Sequence, residues 1–172
     1  MITLEGKGAL IVGAKRLGSV VAKRLAEEGA NLAISYRKSA KEAETLRSSV
    51  AGMAKRTTLI QGDIAIEADV KRMVDSARTD LGNLSFVVNL ASDYPKMPFK
   101  TLDAANWDTA MADAKGSYLL TLHAARVMEN NLGPTRGHVI LFGDSAAGET
   151  PYANCLPYLT GKAAVHFMTR AF

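Results

Sequence analysis

The sequence of 172 residues contains a single cysteine, Cys155. A disulfide within the chain is therefore excluded, and no cysteine-based metal site can be assembled. Histidine is almost as scarce. His123, His138 and His166 stand far apart, none with a second ligand type at metal spacing, so they read as structural or exposed residues and no metal is expected. No apolar run approaches the roughly 18 residues of a spanning helix, and Met1 to Gly8 shows no basic start followed by an apolar run. The expectation is a soluble, cytoplasmic protein with no membrane partner. Aromatic residues form only 6% of the chain, and the excess of 21 Lys and Arg over 17 Asp and Glu, a net +4, is spread along its length. Without dense interleaving of basic and aromatic residues, a nucleic-acid surface is not expected. A bound polyphosphate suits the same charge. Repeats and low-complexity segments are also missing.

What is present is a hydrophobic fraction of 48%, enough for one domain spanning residues 1–172. Short Val-, Ile- and Leu-rich runs alternate with helical periods. Strands are predicted at Gly8–Val12, Asn31–Tyr36, Arg56–Gln61, Leu84–Asn89 and Gly137–Phe142. Helices are predicted at Leu17–Glu28, Ala40–Val50, Glu67–Leu81 and Ala104–Asn131, with a last one still running at Phe172. In the first helix Val20, Val21, Leu25 and Ala26 form the expected packed stripe. The strands lack polar alternation, as in a parallel sheet covered on both faces. Right-handed crossovers and one reversal give an α/β, doubly wound, Rossmann-type sheet of order 3-2-1-4-5. Ligands are then expected at the carboxyl ends of strands one, four and five, with the outer edge left uncovered.

The segments at those ends carry the chemistry. Gly13-Ala14-Lys15-Arg16-Leu17-Gly18 joins the first strand to the first helix, where backbone N–H groups can hold a phosphate. Gly18 is followed by Ser19, so this is not a Walker loop. The second strand ends without the Asp or Glu that would bind a free ribose hydroxyl. It offers Tyr36-Arg37-Lys38-Ser39 instead, and Arg37 with Lys15 or Arg16 makes a cluster suited to a 2'-phosphate, either that or a solvated basic corner. NADP(H) is the cofactor this pattern favours. Asp63, next to Ile64, either accepts from an adenine amino group or caps a turn. Asn89 and Ala91 sit where a cofactor wall would pass. Ser145 precedes Tyr158 by thirteen residues, and Tyr158 and Lys162 share one helix face. The amine is expected to lower the phenol pKa and hold a ribose, the phenol to protonate a carbonyl oxygen, and Ser145 to hydrogen-bond it. Asp144 is either an extra polar group in that pocket or a turn residue.

Taken together, the segments GAKRLG, YRKS, GD, NLAS, DAKG at 113–116 and Ser145 with YLTGK resemble the short-chain dehydrogenase/reductase family. Arg16, residues 36–39 and Tyr94-Pro95 are most similar to its pteridine-reductase-like branch. The resemblance implies NADP-dependent reduction of a small carbonyl or pteridine-like substrate. It also implies a homodimer or homotetramer built on the helix at 104–131 and the helix from Tyr158 onward. A non-catalytic dinucleotide-binding sensor of the same fold is the alternative. Asp113 stands where the family often has an Asn that supports a water relay to the active-site lysine. Val12, Leu90 and Ser92 also depart from the family pattern, the glycine loop is one residue shorter, and the chain reads as lacking the family's last strands and substrate lid.

Overall fold

Strand formation follows the apolar runs. The computed structural model describes residues 4–172. All five residues of β1, Gly8–Val12, are buried, as are the first five of β2, Asn31–Tyr36. With β3 (Thr57–Gln61), β4 (Phe86–Asn89) and β5 (His138–Leu141) they form one parallel sheet ordered β3-β2-β1-β4-β5. The predicted strand order is therefore the observed one. Between the strands run α1 (Leu17–Glu27), α2 (Ala40–Ser49), α3 (Glu67–Leu81) and α4 (Ala104–Met128), and α5 (Leu156–Ala171) follows β5.

Alternation within each strand distributes the core over two layers. Ala9, Ile11, Leu32, Ile34 and Val88 pack with Ala22, Ala26, Ala43 and Leu46 of α1 and α2. Leu10, Val12, Ala33, Ile60 and Val87 pack on the other face with Val70, Met73, Val74, Leu119 and Leu120 of α3 and α4. Each fully buried Leu or Ile stabilises the fold by roughly 1.5–3 kcal/mol. The last helix, α5, lies on α4, where Gly161 approaches the Ala110 carbonyl too closely for a larger side chain to fit comfortably.

Several boundaries and one face differ from expectation. The strands are a residue or two shorter than predicted at β3, β4 and β5, and α4 ends at Met128, not Asn131. In α1 the buried positions are Gly18, Ala22 and Ala26, whereas Val20 is 61% exposed. Small residues let α1 lie close to β1 and β2, and the seam therefore follows size as much as hydrophobicity. As an edge strand β5 alternates exposed and half-buried residues, with Ile140 on its open face. No helix among the described residues is long and apolar enough to cross a membrane.

Candidate active site

A cleft of about 790 Å³ runs along the carboxyl ends of β1 to β4 and reaches α5. Its walls bring together Gly13, Lys15, Arg16, Leu17, Gly18, Tyr36, Arg37, Lys38, Ser39, Asp63, Ile64, Asn89, Ala91, Asp113, Tyr158 and Lys162. Ser145 does not line it.

At one end the chain leaves β1 through Gly13, whose φ of 102° suits glycine and whose missing side chain lets Ala91 and Leu90 pass beside it. Gly18 lies against the Gly13 carbonyl, where a Cβ would collide. Between them Arg16 takes φ 47° and ψ −117°, a region that L side chains rarely enter. No side chain caps the start of α1 and its first turn holds no acid. The Gly18 and Ser19 N–H groups turn back to the Lys15 and Arg16 carbonyls, and the positive end of the helix dipole faces the cleft, an arrangement that suits a diphosphate.

The basic corner is internally paired. Lys15 Nζ lies 2.8 Å from Glu42 Oε1, and the lysine holds that carboxyl below its usual range. Arg37 reaches across the cleft to Asp63, 3.7 Å away, and Asp93, 3.8 Å away, while its carbonyl accepts from the Gln61 amide. Asp63 caps a turn, its Oδ1 accepting from the Ala65 N–H at 2.9 Å, and its Oδ2 is the atom facing Arg37. Ser39 begins α2 without a side-chain cap bond.

Asn89, buried at the end of β4, accepts from the Ala91 N–H at 3.2 Å and donates to the Ser117 hydroxyl at 3.1 Å. The bend this creates sends residues 91–95 along the cleft wall. Asp113 catches that segment, its Oδ2 accepting from the Asp93 N–H at 2.9 Å. Burial raises the Asp113 carboxyl above its usual range, and the positive Lys162 opposes the rise.

At the other end Tyr158 and Lys162 stand one turn apart on α5. Lys162 is buried and donates to the Phe142 carbonyl at 2.9 Å, and burial pulls its pKa below the usual lysine range. The phenol O–H of Tyr158 donates to Asp144 Oδ2 at 3.0 Å. Burial first, then Asp144, pushes the Tyr158 phenol above its ordinary range. The expected lowering by Lys162 is thus overturned in this state: the ammonium lies 5.7 Å from the ring centroid, while a carboxylate touches the hydroxyl. Asp144 also accepts from the Ala146 N–H at 2.9 Å, so it both caps a turn and faces the phenol. Ser145 opens the short 3₁₀ turn Ser145–Ala147 with its side chain exposed.

The sequence assigns no site role to Asp93 or Ser117, and Tyr94 enters only through the family resemblance. Tyr94 sets its ring edge-on to Tyr158, centroids 4.9 Å apart at 88°. The signal for these residues was their placement just after β4 and one turn beyond Asp113, facing the same strand ends as the named ones.

Comparison with known proteins places this geometry in context. The profile of the short chain dehydrogenase family matches residues 7–172. A hydroxynaphthalene reductase-like protein of Metarhizium anisopliae is 28% identical over 172 residues, 99% of this chain and 62% of that protein. A short-chain type dehydrogenase/reductase of Picea abies is 31% identical, covering 97% of this chain and 64% of its own length. The chain thus spans less than two thirds of these relatives. Among solved structures, a short chain dehydrogenase of Burkholderia cenocepacia in complex with NADP superposes with a TM-score of 0.90 at 29% identity, over 99% of this chain and 68% of that one. A short-chain dehydrogenase/reductase of Serratia marcescens gives 0.89 at 30% identity over the same shares.

Proposed function

The chain belongs to the short chain dehydrogenase family, and from that premise we propose that it is an NADPH-dependent oxidoreductase reducing a carbonyl or related C=N group of a small molecule. One observation carries the reading: the uncapped start of α1 and the Tyr158–Lys162 pair open onto a single cleft. The cofactor assignment is supported by that helix end, by the two glycines that keep it close, and by the NADP complex of the Burkholderia relative.

In this reading Gly13, Leu17 and Gly18 face the diphosphate with backbone only, and Arg37 with Lys15 or Arg16 takes the 2'-phosphate. Tyr36, Lys38, Ser39, Asp63 and Ile64 border the adenosine end, and Asn89 and Ala91 form the wall beside the nicotinamide. NADPH, when bound, supplies the hydride. Lys162 holds the nicotinamide ribose and keeps a positive charge beneath the Tyr158 ring. Tyr158 delivers a proton to the substrate oxygen or nitrogen. A phenol is already protonated at neutral pH, as an acid must be, and the upward shift extends that state further into alkaline solution. Asp144 holds the O–H until a substrate acceptor replaces it, and Lys162 stabilises the phenolate left behind. Ser145 adds a hydroxyl at the rim, and Asp113 a carboxylate facing Lys162.

Arg16, residues 36–39 and Tyr94-Pro95 favour the pteridine-reductase-like branch, which makes a flat heterocyclic or aromatic ketone the substrate class. Exposed Trp107, Tyr118 and Phe167 on α4 and α5, with Phe172 just after α5, support a homodimer or homotetramer on those helices. The test is steady-state oxidation of NADPH with such a ketone, together with fluorescence titration of the cofactor. Tyr158→Phe should lower turnover by at least about 100-fold with cofactor affinity little changed. Equal turnover in the variant removes the proton-donor role, whereas cofactor binding with no turnover in either protein leaves the non-catalytic sensor reading. NADPH should bind more tightly than NADH, and parity removes Arg37 from the 2'-phosphate.

A further inference from the structure

Tyr94 is fixed more firmly than a loop residue with half its surface exposed would be. Its backbone is tethered on either side, by Asp113 accepting from the Asp93 N–H at 2.9 Å and by the Met97 N–H donating to the Asn154 carbonyl at 2.7 Å. Asn154 reaches that position in the left-handed region, φ 61°. Its neighbour Cys155, completely buried, donates its thiol hydrogen to the Tyr94 oxygen across 3.6 Å. The loop after β4 and the loop before α5 are therefore stitched at backbone and side chain. The ring they hold meets Tyr158 at a right angle, 4.9 Å between centroids, a favourable aromatic geometry. Tyr94 remains 51% exposed and lines the cleft.

We infer that Tyr94 is a specificity-determining residue: clamped by the Cys155 thiol and set edge-on to Tyr158, it gives planar substrates a flat wall. Cys155 acts here as an anchor behind the ring. The inference rests on the reductase reading for its substrate, and on the two-loop stitch for its geometry. A planar ligand gains aromatic contact with this wall, whereas a small aliphatic ketone gains almost none.

The test compares kcat/KM for α-tetralone and butanone with NADPH in the full chain and in Tyr94→Leu and Tyr94→Phe. Tyr94→Leu should lose at least about tenfold on α-tetralone and less than about threefold on butanone, and Tyr94→Phe should keep most of the preference. Equal losses on both ketones overturn the inference. Alkylation of the sole cysteine by iodoacetamide supplies a readout independent of turnover. Tyr94→Leu, with unchanged circular dichroism, should expose Cys155 and speed its alkylation, and α-tetralone with NADPH should slow the reaction in the unmodified chain but not in this variant. If neither ketone is reduced while that protection is seen, the reductase reading falls and the wall stands. If alkylation is the same in both proteins, with and without α-tetralone, the wall falls.

Discussion

Replacing Asp144 with asparagine removes one negative charge from the immediate neighbourhood of the Tyr158 phenol while leaving an amide oxygen able to accept its hydrogen bond. The two oxygens are 3.0 Å apart. At that separation two unit charges repel by about 1.4 kcal/mol at a dielectric constant of about 80, and by about 2.8 kcal/mol at about 40. Tyr158 is only half-buried, so the water end of this range applies more than the interior end. Each 1.36 kcal/mol or so corresponds to one pKa unit, and the variant should therefore bring the phenol down by about one to two units toward the ordinary tyrosine value. The sign follows from the acid role: reduction needs the protonated phenol, so activity falls as pH rises through its pKa. In Asp144→Asn the alkaline limb of kcat/KM should move to lower pH by that amount. Ultraviolet titration of tyrosinate, with Tyr158→Phe as the blank, measures the same shift without turnover. An alkaline limb and a titration that stay in place, or move upward, would refute the claim that Asp144 governs this phenol.

Two further substitutions probe other parts of the cleft. Arg16→Gly should raise Tm, because φ 47° with ψ −117° costs an arginine on the order of 1–3 kcal/mol and glycine little; fluorescence titration should show weaker NADPH binding in the same variant, since a cation leaves the phosphate corner. Asp113→Asn should be more stable than the native protein at neutral pH. Burial raises this carboxyl, so the folded state binds its proton more tightly than the unfolded state. Its favourable contribution is complete below the unfolded pKa and is lost as pH rises through the folded one. The Tm difference between variant and native protein should accordingly be largest near pH 7 and vanish as pH falls into the carboxylate range, and a difference that grows on acidification would contradict the burial argument.

The strand order was legible, and every named site residue but Ser145 falls on the cleft, because these depend on features that sequence displays directly. Apolar runs such as Ala9–Val12 and Leu32–Ile34 can be covered only on both faces, and Gly13 and Gly18 mark a backbone that must pass close to its neighbours. Tyr158 and Lys162 were readable as a pair because helical geometry fixes residues four apart. What escaped depends on tertiary contact. Spacing could not separate Asp144 from Ser145, since a single residue at the mouth of a 3₁₀ turn decides which side chain meets the phenol. The upward direction of the Tyr158 shift was not legible either: it comes from burial first and then from Asp144, both set by tertiary packing and not by the spacing to Lys162. Val20 looked like core because it is apolar, but Ala22 and Ala26 are the residues small enough for the close side of α1.

Arg37 has its guanidinium between Asp63 and Asp93, and Lys15 has its ammonium against Glu42. On the proposed reading, an arriving phosphate competes at Arg37 and Lys15 with carboxylates that already serve as built-in counter-ions. On that reading docking is an exchange of one anion for another at the Arg37 guanidinium, while Asp63 stays held by the Ala65 N–H. A neutral sugar edge provides no such replacement, and the resting corner then simply keeps its own acids.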